Sequence, residues 1–467
     1  MRTILQAFDW YVSKEDRLWN TIADEAQMYK ELGFTDVWLP PAYKAKYGDD
    51  DAGYGVYDLY DMGEFNQKGS VNTKYGSEKE YAHAVETLNS LGMGVIADIV
   101  LNHKLGADDV ETIQVISMNE FNRKENIERL EIKAWTKFLF EGRGDVYSNF
   151  KWHKDHFTSV DFDQNTGRKG LFKFVGKEWD QNIDLELGNY DYLMGADVDF
   201  NNPAVIEEYM NWGTWYTDKY NFSGVRLDAV KHISFEFFPK WLAHLRKNQS
   251  LLAIGEYWSS DLRALSNYLM ETEYSMMLFD VPLHFNLFDA SQQRHYYDLR
   301  DIFKNTLVLN QPQFALTFVD NHDTQTGQSL QSMIEPWFRE SANALILLRE
   351  SGIPCVFRPD LHDEGIRKII KLRQHAHGLM SDMLDEEHCI AWSFINDVGL
   401  TVLISNHESY LKKIFVGVHH AGKTFKDALG NCDEVVVIDS KGIGMFRVNK
   451  ESVSAYTLEG KIYESVS

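Results

Sequence analysis

The sequence predicts an α/β fold: a (β/α)₈ TIM barrel with a subdomain inserted after its third strand and an antiparallel β domain at its C-terminal end. Short apolar, β-branched runs alternate with helical patterns over most of the chain, which is typical of a parallel sheet. The alternation stops over residues 105–202 and then resumes. Beyond residue 386 only short β runs follow, which indicates a separate β domain.

Eight apolar runs fit barrel strands, and eight is the number that closes such a barrel. The third run, GVIADIV, is apolar almost throughout, as expected for a strand buried on both faces. The predicted strands are Ile4–Phe8, Thr35–Pro40, Gly94–Val100, Gly224–Asp228, Leu251–Tyr257, Met276–Leu283, Phe314–Asn321 and Ile353–Phe357.

Helical patterns separate several of these strands. The first helix, Leu18–Leu32, is followed by Gly33 as a stop signal, and Ser77 is placed to cap a helix that runs through Leu91. Further predicted helices are Pro203–Tyr220, Phe235–Lys247 and Ile334–Glu350.

At 467 residues the chain is larger than one hydrophobic core usually organises. The changes of pattern predict the first part of the barrel at 1–104, an inserted subdomain B at 105–202, the second part of the barrel at 203–385 and a C-terminal β-sandwich domain at 386–467. The inserted stretch is rich in Asp, Asn, Gly and aromatic residues, and a long irregular insertion in a compact domain is usually functional.

The net charge of −23 argues against nucleic acid and anionic membranes as partners, and it is compatible with a neutral substrate. The three cysteines are far apart, which predicts neither a disulfide framework nor a thiolate metal site. The start, MRTILQAFDWY, has no pattern of a secretory leader, and we find no apolar run long enough to span a membrane. We therefore expect a cytoplasmic protein.

Ionisable residues follow four predicted barrel strands at their C-terminal ends, where the active sites of such barrels lie. Any one of these residues could be a structural, salt-bridged group. A purely structural role is harder to accept for ionisable residues at the equivalent ends of four strands, because an apolar strand gains no stability from an unpaired carboxylate. These endings are Asp98, Asn102 and His103 in DIVLNHK, Arg226, Asp228, Lys231 and His232 in GVRLDAVKH, Glu256 in GEYW, and His322 and Asp323 in FVDNHD.

Carboxylates without phosphate-binding glycines favour carbohydrate or metal chemistry. Cleavage of a glycoside needs one ionised carboxylate and one carboxylic acid. Asp228 lies two residues after Arg226, so both side chains share a strand face, and a guanidinium orients and stabilises an attacking carboxylate. Glu256 precedes Tyr257 and Trp258, whose rings can keep it desolvated and protonated as the general acid.

These four segments also carry a resemblance. In order and spacing they resemble the signature segments of the α-amylase family of retaining glycoside hydrolases, and the chain looks most similar to the intracellular bacterial liquefying-type enzymes. The resemblance extends to GYGVYDLYDMGEFNQKGS, ELGNYDYLMGADVDF and EPWFRESANALILLRESGIPCVF, and so covers nearly the whole chain.

The resemblance implies roles for individual residues. Asp228 would be the nucleophile, Glu256 the acid/base, and Asp323 the third carboxylate, which binds and distorts the sugar. The implied contacts to the sugar in the cleaved unit are Arg226, His103, His322 and a stacking Tyr54, whereas Lys231, His232 and Trp258 would lie on the leaving-group side.

The family also implies a structural Ca²⁺ between the barrel and the inserted subdomain. Its ligands would be Asn102, Asp191, Asp197 and the backbone carbonyl of His232, an all-oxygen set that suits a hard cation. Where some relatives place an aspartate for further metal ions, this chain has Thr158, so the number of ions beyond one stays open.

The eighth strand departs from the family pattern. Relatives continue with a Tyr-containing turn and a long loop, whereas this chain reads FRPDLHDEG, with Arg358 in place of the aromatic residue and a shortened loop. We expect an endo-acting α-amylase that works as a monomer on an α-glucan such as starch, glycogen or maltodextrins. The alternatives are an exo-acting α-glucosidase or transglycosylase, a glucan-binding protein with a dead site, and a metal-dependent hydrolase or isomerase.

Overall fold

A computed structural model describes residues 1–247 and 249–459 of the chain. Its centre is a closed barrel of eight parallel strands, in which each strand pairs with its neighbours in the chain and the first pairs with the eighth. This confirms the predicted fold class. The barrel strands, numbered 1 to 8 below, are Ile4–Gln6, Asp36–Leu39, Gly94–Ile99, Gly224–Leu227, Leu252–Gly255, Met277–Phe279, Ala315–Phe318 and Ile353–Phe357.

Nine α-helices lie in the described part of the chain, most of them in the ring around the barrel. Ser77 and Glu80 form a reciprocal capping box at the start of the second helix, which satisfies its free backbone N–H groups. The helices, α1 to α9, are Leu18–Leu32, Glu78–Ser90, Pro203–Lys219, Phe237–Leu245, Leu262–Glu271, Val281–Gln293, Leu307–Asn310, Pro336–Leu347 and Glu364–Leu372.

The sixth strand is shorter than its apolar sequence predicts. We expected a strand over Met276–Leu283, but the strand ends at Phe279 and helix α6 begins at Val281. Asp280 caps this helix through its side chain, which accepts a hydrogen bond from the backbone N–H of Leu283 at 3.1 Å. An apolar run that is buried in both states does not reveal where a strand gives way to a helix.

Residues 103–198 contain a six-stranded antiparallel sheet between barrel strands 3 and 4. Its two longest strands form a hairpin that extends from the barrel, and its short first strand follows barrel strand 3 almost directly. The strands are His103–Lys104, Asp109–Asn119, Asn122–Lys137, Phe157–Phe162, Lys169–Phe174 and Ala196–Val198.

The C-terminal part of the chain forms a six-stranded sheet and a two-stranded sheet, both antiparallel, which confirms the predicted β architecture. Strand Leu379–Glu386 pairs with Cys389–Ile395, so the C-terminal sheet begins before residue 386. The other strands are Thr401–Ser405, Tyr410–Phe415, Thr424–Asp427, Val436–Val437, Ile443–Val448 and Ser452–Leu458. Residues 460–467 of the predicted domain lie outside the described residues.

The connection after the eighth strand is short. Strand 8 ends at Phe357, a single 3₁₀ segment covers Arg358–His362, and helix α9 begins at Glu364. The guanidinium of Arg358 lies 3.1 Å from a carboxylate oxygen of Glu25 on helix α1. Arg358 is therefore held between the eighth strand and the outer helix ring by an ion pair.

The three cysteines, Cys355, Cys389 and Cys432, are buried free thiols. In residues 1–247 and 249–459, no helix combines the length and the apolar character that crossing a membrane requires.

Candidate active site

One buried guanidinium links three carboxylates at the C-terminal ends of the barrel strands. Arg226 on strand 4 is 1% exposed. Its Nη1 atom lies 2.8 Å from an oxygen of Asp98 and 2.6 Å from an oxygen of Asp228, and its Nη2 atom lies 2.9 Å from an oxygen of Glu256. The three carboxylates come from strands 3, 4 and 5, because parallel strands present their ends at the same rim.

The environment of Glu256 favours its protonated form. Burial raises the pKa of Glu256 to about 8, and the negative charges of Asp228 and Asp323 act in the same direction, while Arg226 opposes them. The carboxyl group is thus a proton donor at neutral pH. The backbone N–H of Ala229 also donates to Glu256, at 3.2 Å, and fixes its orientation.

Asp323 joins this group from the loop after strand 7. Burial raises its pKa, against the influence of Arg226 and of a hydrogen bond with the Glu256 carboxyl group. The Nε2 atom of His322 lies 3.3 Å from a carboxylate oxygen of Asp323. Three of the predicted residues, Asp228, Glu256 and Asp323, therefore lie around one small volume.

Aromatic rings form one wall of this volume. Tyr54 stacks on His322 with ring centroids 5.1 Å apart and planes within 11°. The hydroxyl of Tyr54 donates to Asp98 at 2.9 Å, and its backbone carbonyl lies 2.9 Å from Nε2 of His103. Burial lowers the pKa of both histidines, so both rings are neutral at the site.

The residues predicted for the leaving-group side come together on strand ends 4 and 5. The ammonium group of Lys231 pairs with Glu186 of the inserted segment and lies 3.4 Å from the carbonyl of Trp258. His232 Nδ1 lies 2.7 Å from the carbonyl of Tyr190. Burial lowers the pKa of His232 to about 3, so the ring is neutral. These residues border the same cleft from the side of the inserted sheet.

Comparisons with known proteins agree with this site. The model of the family described as "Alpha amylase, catalytic domain" matches residues 18–365, and that of the α-amylase C-terminal domain matches residues 400–457. The chain belongs to the α-amylase family. It is therefore a glycoside hydrolase, of the family that hydrolyses α-1,4-glucosidic bonds.

Close relatives within the α-amylase family match almost the full chain. An α-amylase of Geobacillus stearothermophilus is 45% identical over 475 residues, which cover 97% of this chain and 86% of that protein. The cytoplasmic α-amylase of Escherichia coli is 39% identical and covers 98% of this chain and 99% of its own length. Among solved structures, the α-amylase of Geobacillus thermoleovorans is similar with a TM-score of 0.65 at 19% identity, over 98% of each chain.

Two residues that contact the candidate site of this α-amylase family protein were not assigned a role from the sequence. Asp98 was noted at a strand end but given no role, although it accepts hydrogen bonds from Trp38, Tyr54 and Arg226. Gln6 was not singled out, although its side-chain nitrogen lies 3.2 Å from Nδ1 of His322. The only sign of Gln6 in the sequence was the presence of one amide side chain within the apolar first strand.

The predicted calcium ligands also lie close together. Asp197 pairs across the inserted sheet with His103, and the backbone N–H of Val198 donates to the carbonyl of Asn102 at 3.0 Å. Burial raises the pKa of Asp197 and of Asp191 well above the usual range. The negative charge of Asp191 adds to this at Asp197, and that of Asp180 adds to it at Asp191. Within the described ranges, neither amide atom of Asn102 has a hydrogen-bond partner, although both are buried.

Such a set of buried, repelling carboxylates and an unpartnered amide oxygen fits a hard cation. Across residues 1–247 and 249–459, no cluster of three or more His, Cys, Asp or Glu side chains could hold a metal ion by itself. The predicted set contains only two carboxylates, and an amide and a backbone carbonyl would complete it. The Thr158 hydroxyl donates to Asp197, and Lys177 pairs with Asp199 next to the set.

Proposed function

We propose that the protein is an endo-acting retaining α-amylase that cleaves internal α-1,4 bonds of starch, glycogen or maltodextrins by double displacement. In this proposal Asp228 is the nucleophile, Glu256 the acid/base and Asp323 the third carboxylate. The supporting observation is the contact of one guanidinium, Arg226, with both Asp228 and Glu256, together with the burial that raises the pKa of Glu256 to about 8 and so favours a proton donor there.

In the first step Asp228 attacks the anomeric carbon while Glu256 donates its proton to the glycosidic oxygen. The bond between the anomeric carbon and that oxygen breaks, and a covalent sugar ester forms on Asp228. Arg226 holds the attacking oxygen at 2.6 Å from its Nη1 atom, so the carboxylate enters the reaction with a fixed orientation.

In the second step water replaces the departed glucan. The Glu256 carboxylate takes a proton from this water, whose oxygen attacks the anomeric carbon and releases Asp228. Two inversions restore the α configuration. The overall reaction consumes one water and leaves Glu256 protonated for the next cycle.

Asp323 and the surrounding rings would bind the sugar at the point of cleavage. Asp323 is hydrogen-bonded to Glu256. When substrate binds, hydroxyl groups of the sugar could take the place of Glu256 as hydrogen-bond donors to Asp323. Tyr54 and His322 offer a flat apolar wall, which suits the face of a pyranose ring. His103 lies behind Tyr54, and Lys231, His232 and Trp258 would hold the sugars of the leaving group.

One Ca²⁺ is proposed at Asn102, Asp191, Asp197 and the His232 carbonyl. When bound, the ion supplies charge neutralisation and a crosslink between the barrel and the inserted sheet, not chemistry at the sugar. Asn102 and His232 follow barrel strands 3 and 4, whereas Asp191 and Asp197 belong to the insertion. Such an ion would therefore stabilise the wall of the cleft that carries Tyr190 and Glu186.

We place the protein in the cytoplasm, as a monomer whose partner is its α-glucan substrate. One relative, at 39% identity, is named a cytoplasmic α-amylase. Three buried free thiols are compatible with a reducing compartment, and the net charge of −23 makes nucleic acid and anionic membranes poor partners.

The test is to digest soluble starch and follow the products by ¹H NMR and by chain length. We expect the α-anomer of mixed oligosaccharides to appear first, with loss of iodine staining ahead of the release of reducing ends. Early β-anomer would show inversion and contradict double displacement. Release of a single short product with slow loss of iodine staining would show the exo-acting alternative.

A further inference from the structure

Gln6 is a buried residue on barrel strand 1 whose side chain contacts His322 of the candidate site. It has no exposed surface. Its Nε2 atom lies 3.3 Å from the carbonyl oxygen of Phe8 and 3.2 Å from Nδ1 of His322. The roles assigned above to the carboxylates and aromatic rings leave Gln6 without a function.

The Phe8 contact determines which end of the Gln6 amide faces His322. A carbonyl oxygen can only accept hydrogen bonds, so the amide atom next to it must be the nitrogen and not the oxygen. The same nitrogen carries two hydrogens and can donate to Phe8 and to the imidazole at once. Nδ1 of His322 therefore faces a donor and must act as an acceptor.

This arrangement selects one tautomer of His322. A neutral imidazole carries a single proton, and if Nδ1 accepts, the proton is on Nε2. Nε2 lies 3.3 Å from a carboxylate oxygen of Asp323. In the other tautomer a nitrogen lone pair would face this carboxylate, which is repulsive. Burial lowers the pKa of His322 well below its usual value, in keeping with a neutral ring.

The ring itself is held by its neighbours. His322 stacks on Tyr54 and Trp10, with centroid distances of 5.1 and 6.1 Å, and contacts the rings of Phe8 and Trp38 at 5.1 and 5.8 Å. Four aromatic contacts restrict ring rotation, so the orientation of the imidazole is fixed by packing. What packing leaves open is the position of the proton.

We infer that Gln6 is a positioning residue that fixes the Nε2–H tautomer of His322, so that the ring presents an N–H donor to Asp323 and to a hydroxyl of the sugar being cleaved. The part of this inference that concerns the sugar rests on the proposed function. The tautomer is a property of the protein alone and can be measured without substrate.

The direct test is ¹⁵N NMR of protein labelled at histidine, with the His322 signals identified by their loss in His322→Gln. We expect the wild type to show an unprotonated Nδ1 and a protonated Nε2. In Gln6→Glu the carboxylate can only accept, so Nδ1 should become protonated. A wild-type spectrum with protonated Nδ1, or no change in Gln6→Glu, would overturn the inference.

The kinetic test uses Gln6→Met, which has a similar volume and no donor. We expect kcat on a maltooligosaccharide to fall roughly 10- to 100-fold, with KM within about two-fold of wild type. A loss of this size is typical when a hydrogen bond that orients a functional histidine is removed. An unchanged kcat in a folded Gln6→Met protein would refute the positioning role.

The matched control is Gln67→Met. Gln67 is also buried, but its amide donates to Asp58 and Asp61 outside the site, at 2.9 Å each. This variant should lose stability and keep the His322 tautomer and kcat. If the wild type does not cleave α-glucans at all, the proposed function fails, and the NMR experiment still decides the tautomer.

Discussion

Arg226 carries more of the charge balance of the candidate site than any carboxylate around it. Its guanidinium contacts Asp98, Asp228 and Glu256, and all three of these residues are buried. Removing one partner from a buried ion pair costs about 3–5 kcal/mol, because the remaining charge is left without compensation. The site therefore depends on a cation that takes no direct part in bond making.

Replacement of the proposed acid separates the two steps of the reaction. Glu256→Gln cannot protonate a leaving sugar, so kcat on starch should fall by roughly 10³-fold or more. An α-maltosyl fluoride needs no acid to leave, so it should still react and trap the sugar ester on Asp228, visible by mass spectrometry. Glu236→Gln, at an exposed ion pair with Lys240, is the control and should retain activity. Full starch hydrolysis by Glu256→Gln would exclude Glu256 as the acid.

The pH dependence follows from the same carboxyl group. Because Glu256 must be protonated to act and its pKa is raised to about 8, kcat/KM should be lost as the pH rises through about 8. Initial rates on a maltooligosaccharide across this range measure it. With the fluoride substrate the alkaline decline should disappear, and a decline that persists there would assign it to another group.

At the scale of single residues, the charged residues of the candidate site could be predicted from the sequence, but the uncharged residues that contact them could not. Asp228, Glu256 and Asp323 stand out because they are ionisable residues at the ends of apolar strands. Gln6 is uncharged, and only its three-dimensional contact with His322, 316 positions away, reveals a role. Spacing along the first strand does not show which residue elsewhere in the chain Gln6 contacts across the barrel.

At the scale of elements, the contact between helices α3 and α4 depends on one small residue. A Cβ atom on Gly213 would lie 2.8 Å from the ring of Trp241, which is fully buried and donates to the carbonyl of Tyr209 at 2.9 Å. Alanine would gain up to about 1 kcal/mol in helix propensity. Overpacking a rigid core usually costs about 1–3 kcal/mol, so the clash should prevail.

Gly213→Ala should therefore lower the Tm measured by calorimetry. Gly365→Ala in helix α9 is the matched comparison, because its Cβ would meet the carboxylate ends of the Glu340 and Asp363 side chains and not a rigid buried ring. That variant should be neutral or slightly stabilising. If Gly213→Ala were as stable as Gly365→Ala, the two helices would have to tolerate a wider separation than their packing indicates.

A second prediction at this scale concerns the proposed calcium ligands. Calcium in large excess should raise the Tm above that in chelator, since a ligand at 1,000 times its Kd stabilises by about 4 kcal/mol. Asp191→Asn should remove most of this difference and most of the heat of calcium binding. Asp218→Asn, an exposed position in helix α3, is the control. An unchanged calcium effect in Asp191→Asn would remove this residue from the site.

The order of elements was predictable from the sequence, and some of their ends were not. All eight barrel strands were expected, because β-branched apolar runs buried on both faces have a strong pattern. Strand Leu379–Glu386 was missed, because its mixed polar sequence resembles a loop until a neighbouring strand is known. The inserted sheet was recognised only as a segment in which the alternation of strand and helix patterns stops.

On the scale of the whole molecule, a buried tryptophan lies where the C-terminal sheet meets the barrel. The indole N–H of Trp392 donates to the carbonyl of Leu348 at 2.6 Å, just after helix α8. The guanidinium of Arg349 lies over the Trp392 ring, 5.2 Å from its centroid, and also pairs with Asp382 of the C-terminal sheet. Hydrophobic residues of both parts form a single continuous core. We therefore expect the barrel and the C-terminal sheets to unfold together.

Trp392→Ala tests this connection. Truncating a buried tryptophan costs about 3–5 kcal/mol, and here the loss falls on the contact between the two parts. Calorimetry should show two transitions in place of the single transition of the wild type, the first of them at a lower temperature. Below that temperature kcat and KM should stay unchanged, because Arg226 and its carboxylates lie at the C-terminal ends of the barrel strands and Trp392 contacts the opposite end. Trp337→Ala is the comparison, since Trp337 bonds to Ser291 within the barrel and its loss should lower the Tm without splitting the transition. If Trp392→Ala also gave one transition, the two parts would be joined by contacts other than this tryptophan.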